Sequence, residues 1–579
     1  MQVFRVWAPL PAKVDVVVDG KRCAMAPGPG GWWAAEVPDA KADSEYGFMV
    51  DGKGPFPDPR SPSQPKGVHG LSRLCGDGSY PWTDRHFQAP PLASALIYEL
   101  HVGTFTPGGT FLSTIENLEH LVRLGVTHVE LMPVVEFGGG HGWGYDGVDL
   151  FAPHHACGRP EDLKELVNAC HAKGLAVILD VVYNHLGPTG NYLGKYAPYF
   201  TKKFATAWGG GINFDGPDSG EVRRFFCDNA LRWLRDFHFD GLRLDAVHGI
   251  LDTSATHVLE QLRMEVDDLS AQTGRHLVLI PESDLNDPRL LWSRERGGYQ
   301  LDAQWSDDFH HALHTVLTGE KTGYYSDFGK LGDLAKALQT AFVYNGNYSE
   351  HRRRVHGRPA AGLKGHRFLG YLQNHDQVGN RAIGDRSSHL MSTGRLKIGA
   401  ALLLTSPFTP MLFQGEEWAA STPFCYFTDF QEPELAKAVR EGRCREFEVF
   451  GWKPEDTADP QAPETFANSK LKWEEVSAAP HAEMLKWHQD LIRLRRSEPA
   501  LSDGDLEAVR VKFDETERWL VVERGPISVV CNLAENRQAV PVRAGHHKIL
   551  MASEAGSEVA DGKVGLANDA VVILGSGRD

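Results

Sequence analysis

The sequence predicts an α/β chain built on a (β/α)8 TIM barrel, with a β-sandwich before the barrel and an antiparallel β domain after it. Three observations carry this expectation. From residue 95 short apolar runs alternate with amphipathic helical stretches, the pattern of repeated βα units. Residues 1–88 and 503–579 instead alternate apolar and polar residues with a period of two. And 579 residues exceed one ordinary domain, so separate units are required.

In chain order, residues 3–7, 13–18, 32–37 and 45–50 read as strands separated by clusters such as Ala26-Pro-Gly-Pro-Gly-Gly31, a small sandwich resembling a carbohydrate-binding module. The proline-rich stretch 54–64 reads as the linker leaving it. The barrel, expected over 89–502, takes its strands from residues 96–102, 126–133, 176–182, 241–247, 277–283, 303–309, 368–374 and 410–413. Ile115, Leu118, Leu121 and Val122 form one helical face, stopped by Gly125. Leu163, Leu166, Val167 and Cys170 form another, with Pro160 at its start and Gly174 at its end. Val222, Phe225, Phe226, Ala230, Trp233 and Leu234 form a third. Residues 186–213 fit neither element and read as an excursion after the third strand. A last helix is expected at 481–501 before the C-terminal β domain at 503–579.

Composition narrows the function classes. The formal charge is −16 and no long basic run occurs, which argues against a nucleic-acid partner. No run of about 18 apolar residues appears, so no membrane span is expected. The eight cysteines show no paired or framework spacing, and the N-terminus lacks a leader's charged start and apolar stretch. A cytoplasmic protein with reduced thiols is the expectation.

A barrel of this kind places chemistry at the carboxyl ends of its strands. The third strand ends Asp180-Val-Val-Tyr-Asn-His185 and the fourth runs Gly241-Leu-Arg-Leu-Asp245-Ala-Val-His248. The fifth runs Leu279-Ile-Pro-Glu282 and the seventh Leu372-Gln-Asn-His-Asp376. Asp245, Glu282 and Asp376 thus converge on one rim. Retaining cleavage of a glycosidic bond needs one carboxylate as nucleophile and one carboxylic acid to protonate the leaving oxygen. Arg243, two residues before Asp245, points to the same face and can hold it ionised.

These strand ends resemble the four signature regions of the α-amylase superfamily. The resemblance implies that Asp245 is the nucleophile, Glu282 the general acid/base and Asp376 the transition-state stabiliser. Arg243, His185 and His375 match the family's substrate and orientation contacts, and Tyr145 the aromatic that stacks on the sugar beside the cleavage point; Asp146, His248 and Asp284 fall among the implied substrate contacts. Longer stretches, among them Tyr98-Glu-Leu-His-Val-Gly-Thr-Phe-Thr106, Gln304-Trp-Ser-Asp-Asp-Phe-His-His311 and Gln373-Asn-His-Asp-Gln-Val-Gly-Asn380, resemble the maltooligosyltrehalose trehalohydrolase family.

That likeness implies maltooligosyltrehalose and maltodextrin substrates, release of trehalose, and a pathway link to maltooligosyltrehalose synthase. Trp208 and residues 305–311 are candidate walls for the trehalose end. A glycogen branching enzyme is the rival reading, and a binding protein on a dead barrel a third. One departure is Pro281, beside the acid, where a smaller residue is expected.

No cofactor and no metal are expected. The His154-His155 and His310-His311 pairs have no ligand at helical spacing. Asn184 matches a position that binds calcium in some amylases, but acidic partners are not evident. Gly138-Gly-Gly140 lacks the residues of a phosphate cradle. Arg352-Arg-Arg354 reads as a solvated basic face.

Overall fold

A computed structural model describes every residue except 1, 77–79, 207, 208, 449, 454, 455 and 577–579. Its centre is an eight-stranded parallel sheet that closes nearly completely. The strands are β1 (Ile97–Leu100), β2 (His128–Leu131), β3 (Ala176–Val181), β4 (Gly241–Leu244), β5 (Val278–Pro281), β6 (Gln304–Trp305), β7 (Phe368–Gly370) and β8 (Thr409–Phe413). Their spatial order is β5-β4-β3-β2-β1-β8-β7-β6. Between the outermost pair, Asp302 N donates to Leu279 O at 2.9 Å and narrows the seam.

The period of two along each strand divides this barrel by depth. Ile97, Ile178, Val278, Ile280, Leu369, Tyr371 and Met411 pack together as its apolar filling. Two residues beyond Ile97 and Ile178, the same inner face presents Glu99 and Asp180, both buried. The interior therefore changes from hydrocarbon to carboxylate within about 7 Å of strand.

Helices α1 (Leu118–Leu124), α2 (Pro160–Ala172), α3 (Ser219–Asp236), α4 (Val258–Thr273), α5 (Asp307–Thr318), α6 (Leu331–Thr340), α7 (Thr393–Leu404), α8 (Pro433–Glu448) and α9 (His481–Ser497) follow. α1 ends at Gly125, whose φ of 101° is the left-handed cap that stops a helix. The apolar face expected there shifts slightly: Leu118, Leu121 and Leu124 are buried, while Val122 is exposed. The strand expected over 303–309 is also shorter. Asp307 and Asp308 occupy the first turn of α5, where carboxylates favour the positive helix end, so the chain turns helical after Trp305.

Before the barrel lie two small antiparallel sheets. One holds Gln2–Trp7, Trp32–Val37 and Ala26–Pro27, the other Lys21–Ala24, Val14–Val18, Glu45–Val50, Lys53–Phe56 and Ser72–Arg73. Lys53–Phe56 is thus a strand inside the stretch expected to be linker. Phe4, Val16 and Phe48 fill the space between them. The excursion holds Leu193–Tyr196 and a hairpin of Phe200–Thr206 with Gly209–Ile212. These sheets grip it: the Tyr196 hydroxyl donates to Pro57 O at 2.8 Å, and Trp7 meets Tyr199 edge-on. After α9 a five-stranded antiparallel sheet and a three-stranded one close the chain around Val521, Val530, Val564 and Leu574. No helix among the described residues is long and apolar enough to cross a membrane.

The segment entering the barrel is tied to it by a buried ionic clamp. His171 of α2, enclosed entirely, places Nδ1 2.8 Å from Asp84 and Nε2 2.9 Å from Asp240. Burial opposes charge on this ring, but hydrogen bonds to Asp240 and Asp84 prevail and raise its pKa. A raised histidine pKa stabilises fully below about pH 6.5, and the gain is lost as pH rises through the folded value. His171→Ala, which removes one partner from each carboxylate but leaves His238 on Asp84 and Arg275 on Asp240, is expected to lower stability in urea titrations by about 1.5–3 kcal/mol at pH 6, and by less at high pH. A deficit that does not shrink with rising pH contradicts the ionic clamp.

Candidate active site

A cleft of about 810 Å³ opens at the carboxyl end of the strands, and Asp245, Glu282 and Asp376 all line it. Arg243 lies beneath them. Its side chain is fully buried because β4 points it into the barrel. Nη1 donates to both Asp180 oxygens at 2.9 and 2.8 Å and to Asp245 Oδ1 at 2.8 Å. Nη2 lies 3.5 Å from Glu282 Oε2. The indole of Trp305 covers the guanidinium, whose carbon is 4.3 Å from the ring centroid.

Asp245 follows the last residue of β4, and the next residue, Ala246, turns at a φ of 37° into a short 3-10 turn. This turn leaves the Asp245 carboxylate at the rim. Asn184 donates to its Oδ2 and to its carbonyl, each at 2.8 Å. Asn184 is thus committed to Asp245. Glu282 follows Pro281 at the end of β5, and Pro281 does not disturb the pairing: Glu282 N still donates to Leu244 O at 2.9 Å. Glu282 Oε2 accepts from Ala246 N at 2.6 Å. Burial raises the Glu282 pKa well above the ordinary range against the pull of Arg243, and the charges of Asp245, Asp307 and Asp376 push the same way. One carboxyl thus has its pKa raised beside another held on a guanidinium, the division of labour that acid–nucleophile chemistry requires.

Asp376 sits in the first turn of the helix His375–Gly379. Asn380 Nδ2 donates to its Oδ1 at 3.1 Å, and His375 Nε2 is 3.5 Å from Oδ2. His375 is itself enclosed. Its Nδ1 donates to Glu99, its Nε2 to the Tyr145 hydroxyl at 2.8 Å, and Tyr145 donates to Asp180 at 2.5 Å. Burial opposes protonation of His375, but Asp376 and Glu99 raise its pKa to about 9. Tyr145 stacks on the same ring with a centroid spacing of 5.1 Å.

Of the other expected residues, Asp146, His185, His248 and Asp284 line the cleft. His185 Nε2 donates to Tyr145 O at 3.0 Å, and burial lifts Asp146 to about 6. Trp208 lies outside the described residues. Within 305–311, Asp307 and His311 reach the cleft, whereas Trp305 lies under it. Asp307 is a further carboxyl there, raised to about 7 by burial despite a hydrogen bond from Tyr371.

Sequence reasoning missed several lining groups. Arg352 is not part of a solvated face: it lines the cleft and donates to Asp284 Oδ2 at 2.8 Å, while Arg353 and Arg354 stay exposed. The hairpin Asn347–Ser349 with Arg354–His356 turns it inward, which a run of three arginines does not reveal. Tyr324, Tyr426 and Arg443 come from loops and α8 with no motif around them.

The histidine pairs also differ from expectation. Spacing along the chain hid Glu136, which the hairpin of Val135–Phe137 with Gly147–Pro153 brings to His154 and His155. Glu136, His154 and His155 are the group of metal-ligating side chains found among the described residues. Glu136 is already engaged: His155 donates to it from N and from Nδ1, each at 2.8 Å, and His154 Nδ1 lies at 3.4 Å. None of the three lines the cleft. His310 Nε2 is paired with the Tyr325 hydroxyl at 2.9 Å.

The chain is similar to known proteins over most of its length. Residues 68–205 match the model of the alpha amylase catalytic domain, and residues 504–573 a domain of unknown function, DUF3459. The chain is 51% identical over 547 residues to a malto-oligosyltrehalose trehalohydrolase of Arthrobacter ramosus, covering 94% of each. It is 33% identical to a 1,4-alpha-glucan branching enzyme of Corynebacterium jeikeium, over 72% of this chain and 60% of that one. Among solved structures, a Salmonella typhimurium protein assigned as an alpha amylase superposes with a TM-score of 0.91 at 38% identity, covering 99% of this chain and 97% of that one.

The environment of Glu282 has a spectroscopic consequence. Infrared titration of the free protein should show a protonated carboxyl band persisting well above pH 4.5, and Glu282→Gln should remove one carboxyl's share of it. An unchanged band in the variant contradicts a protonated Glu282.

Proposed function

The chain belongs to the malto-oligosyltrehalose trehalohydrolase family, and from that premise we propose that the cleft cleaves, with retention, the α-1,4-glucosidic bond next to the terminal trehalose of maltooligosyltrehalose. The observation that carries the reading is the contrast between Asp245, held on Arg243 and Asn184, and Glu282, which lies 3.5 Å from the other guanidinium nitrogen and whose pKa burial raises.

The chemistry runs in two displacements. Asp245 attacks the anomeric carbon while Glu282 gives its proton to the glycosidic oxygen, which leaves as a hydroxyl of trehalose. A β-glycosyl ester on Asp245 remains. Glu282, now a carboxylate, takes a proton from water, and the resulting nucleophile opens the ester and restores the α configuration. Asp376, with His375 and Tyr145 beside it, grips sugar hydroxyls as positive charge develops at the anomeric carbon. Tyr145 stacks on the ring before the cleavage point. His185, His248, Asp284, Asp146 and Arg352 supply hydrogen-bonding walls, and Trp208 is proposed to close the trehalose side. Replacing Trp208 by Ala without a change in KM or kcat would remove it from the site.

We further propose three units at 1–88, 89–502 and 503–579, the first resembling a carbohydrate-binding module. A cytoplasmic setting, where a maltooligosyltrehalose synthase supplies the substrate, accords with the eight free cysteines. The branching-enzyme reading is not favoured, since the likeness to that enzyme is weaker and covers less of both chains.

Incubation with maltotriosyltrehalose, and in parallel with amylose, tests the reading by product chromatography. Free trehalose is expected from the first; branched polymer from the second would overturn it. Asp245→Asn should lower kcat on the order of 10⁴-fold or more in a protein that still folds, with a lower melting temperature because Arg243 loses one of its carboxylates. Activity should also fall as pH rises through the raised pKa of Glu282, since the acid then lacks its proton; an alkaline limb unaltered in the residual activity of Glu282→Gln contradicts that assignment.

A further inference from the structure

We propose that Arg443 of α8 is a positioning residue that sets the orientation of Asp376 through the side-chain amide of Asn380. The inference rests on the reading of Asp376 as the carboxylate that stabilises the transition state.

The three carboxylates given the chemistry are not equally constrained. Asp245 is held by Arg243 and Asn184, and Glu282 by the backbone N–H of Ala246. Asp376 is the most exposed of the three, its side chain at 41% against 13% and 15%. Among the described residues, its carboxylate accepts one side-chain hydrogen bond, from Asn380 Nδ2 at 3.1 Å. The barrel strands therefore fix the first two, while the third has one hydrogen bond from an amide and the more distant His375 ring, 3.5 Å from its Oδ2.

An amide is ambivalent: it can offer a carboxylate either its NH2 or its oxygen, and only the first is attractive. Arg443 removes the ambiguity. A guanidinium only donates, and its Nη2 donates to Asn380 Oδ1 at 2.8 Å and to Gly379 O at 3.2 Å. With the amide oxygen taken, the NH2 group is left facing Asp376.

Arg443 is in turn held rigidly. Its Nη1 donates to Glu446 at 2.9 Å, and its carbon sits 4.3 Å from the Tyr426 ring and 4.9 Å from that of Phe447. Its side chain is 13% exposed. A helix on the cleft wall thus reaches the carboxylate that the barrel itself holds least. Misorientation of a reacting group by about 1 Å costs on the order of 100-fold in rate, so this link acts on the transition state and not on ground-state binding.

The test is steady-state kinetics on maltotriosyltrehalose, with melting temperatures, for Arg443→Met, Asn380→Ala, the double variant, Arg443→Lys and Asp376→Asn. Each of the first two is expected to lower kcat about 10- to 100-fold with KM within about twofold. The double variant should be no worse than Asn380→Ala, because both lie on one path. Arg443→Lys should recover part of the loss, since an ammonium also only donates. A raised KM at constant kcat would make Arg443 a substrate contact, and multiplicative losses in the double variant would make the two residues independent; either overturns the proposal. Should Arg443→Met fail to fold, Asn380→Ala with unchanged kcat overturns it alone. Asp376→Asn is a separate arm: near-normal activity there refutes the reading of Asp376, whatever Arg443 does.

Discussion

A guanidinium sealed inside a barrel is the constraint on which the site depends. Arg243 has no exposed surface, and an isolated buried charge is far too costly to persist. Carboxylates must therefore surround it, and Asp180 and Asp245 do so at hydrogen-bond distance. Removing one partner of such a buried set costs about 3–5 kcal/mol, so the arrangement is fixed as firmly as the hydrophobic core around it. The indole of Trp305 completes the enclosure. Local charge balance then decides the chemistry: one guanidinium cannot neutralise every carboxyl near it. Asp245 receives a direct hydrogen bond at 2.8 Å, whereas Glu282 lies 3.5 Å from the other nitrogen and burial raises its pKa.

A second ionic layer transmits this order sideways. Glu99 of β1 bonds His375 after β7, His375 bonds Tyr145, and Tyr145 bonds Asp180 of β3. Three distant stretches of sequence are thereby locked to the same charge pattern. Asp376 borders this ring but is not enclosed by it, which is why its orientation falls to Asn380 and α8. Glu130 marks where the pattern stops: neither of its oxygens has a hydrogen-bond partner among the described residues, and burial raises its pKa well above the ordinary range.

What could be read from the sequence follows from this physics. Strands that must bury one face against hydrocarbon and one against helices are long apolar runs, so seven of the expected barrel strands lie where expected. β6 is the exception, because a two-residue strand carries no periodicity and the acidic helix start after it decides the local structure. Asp245 and Glu282 were legible because each directly follows a barrel strand, and Asp376 because it lies shortly after β7, in the first turn of a short helix. Arg352, Asp307 and Arg443 were not, since hairpins and helix faces bring them in from places where their types are ordinary. Glu136 escaped notice for the same reason: its partners lie across a hairpin and not along a helix.

The central claim is that hydrolysis passes through an ester on Asp245, with two inversions at the anomeric carbon. Proton NMR of the first turnovers of maltotriosyltrehalose reads it directly, before mutarotation blurs the signal. The account predicts that the reducing end of the released maltotriose appears first as the α-anomer. Initial release of the β-anomer would mean a single displacement by water, and would contradict the role given to Asp245.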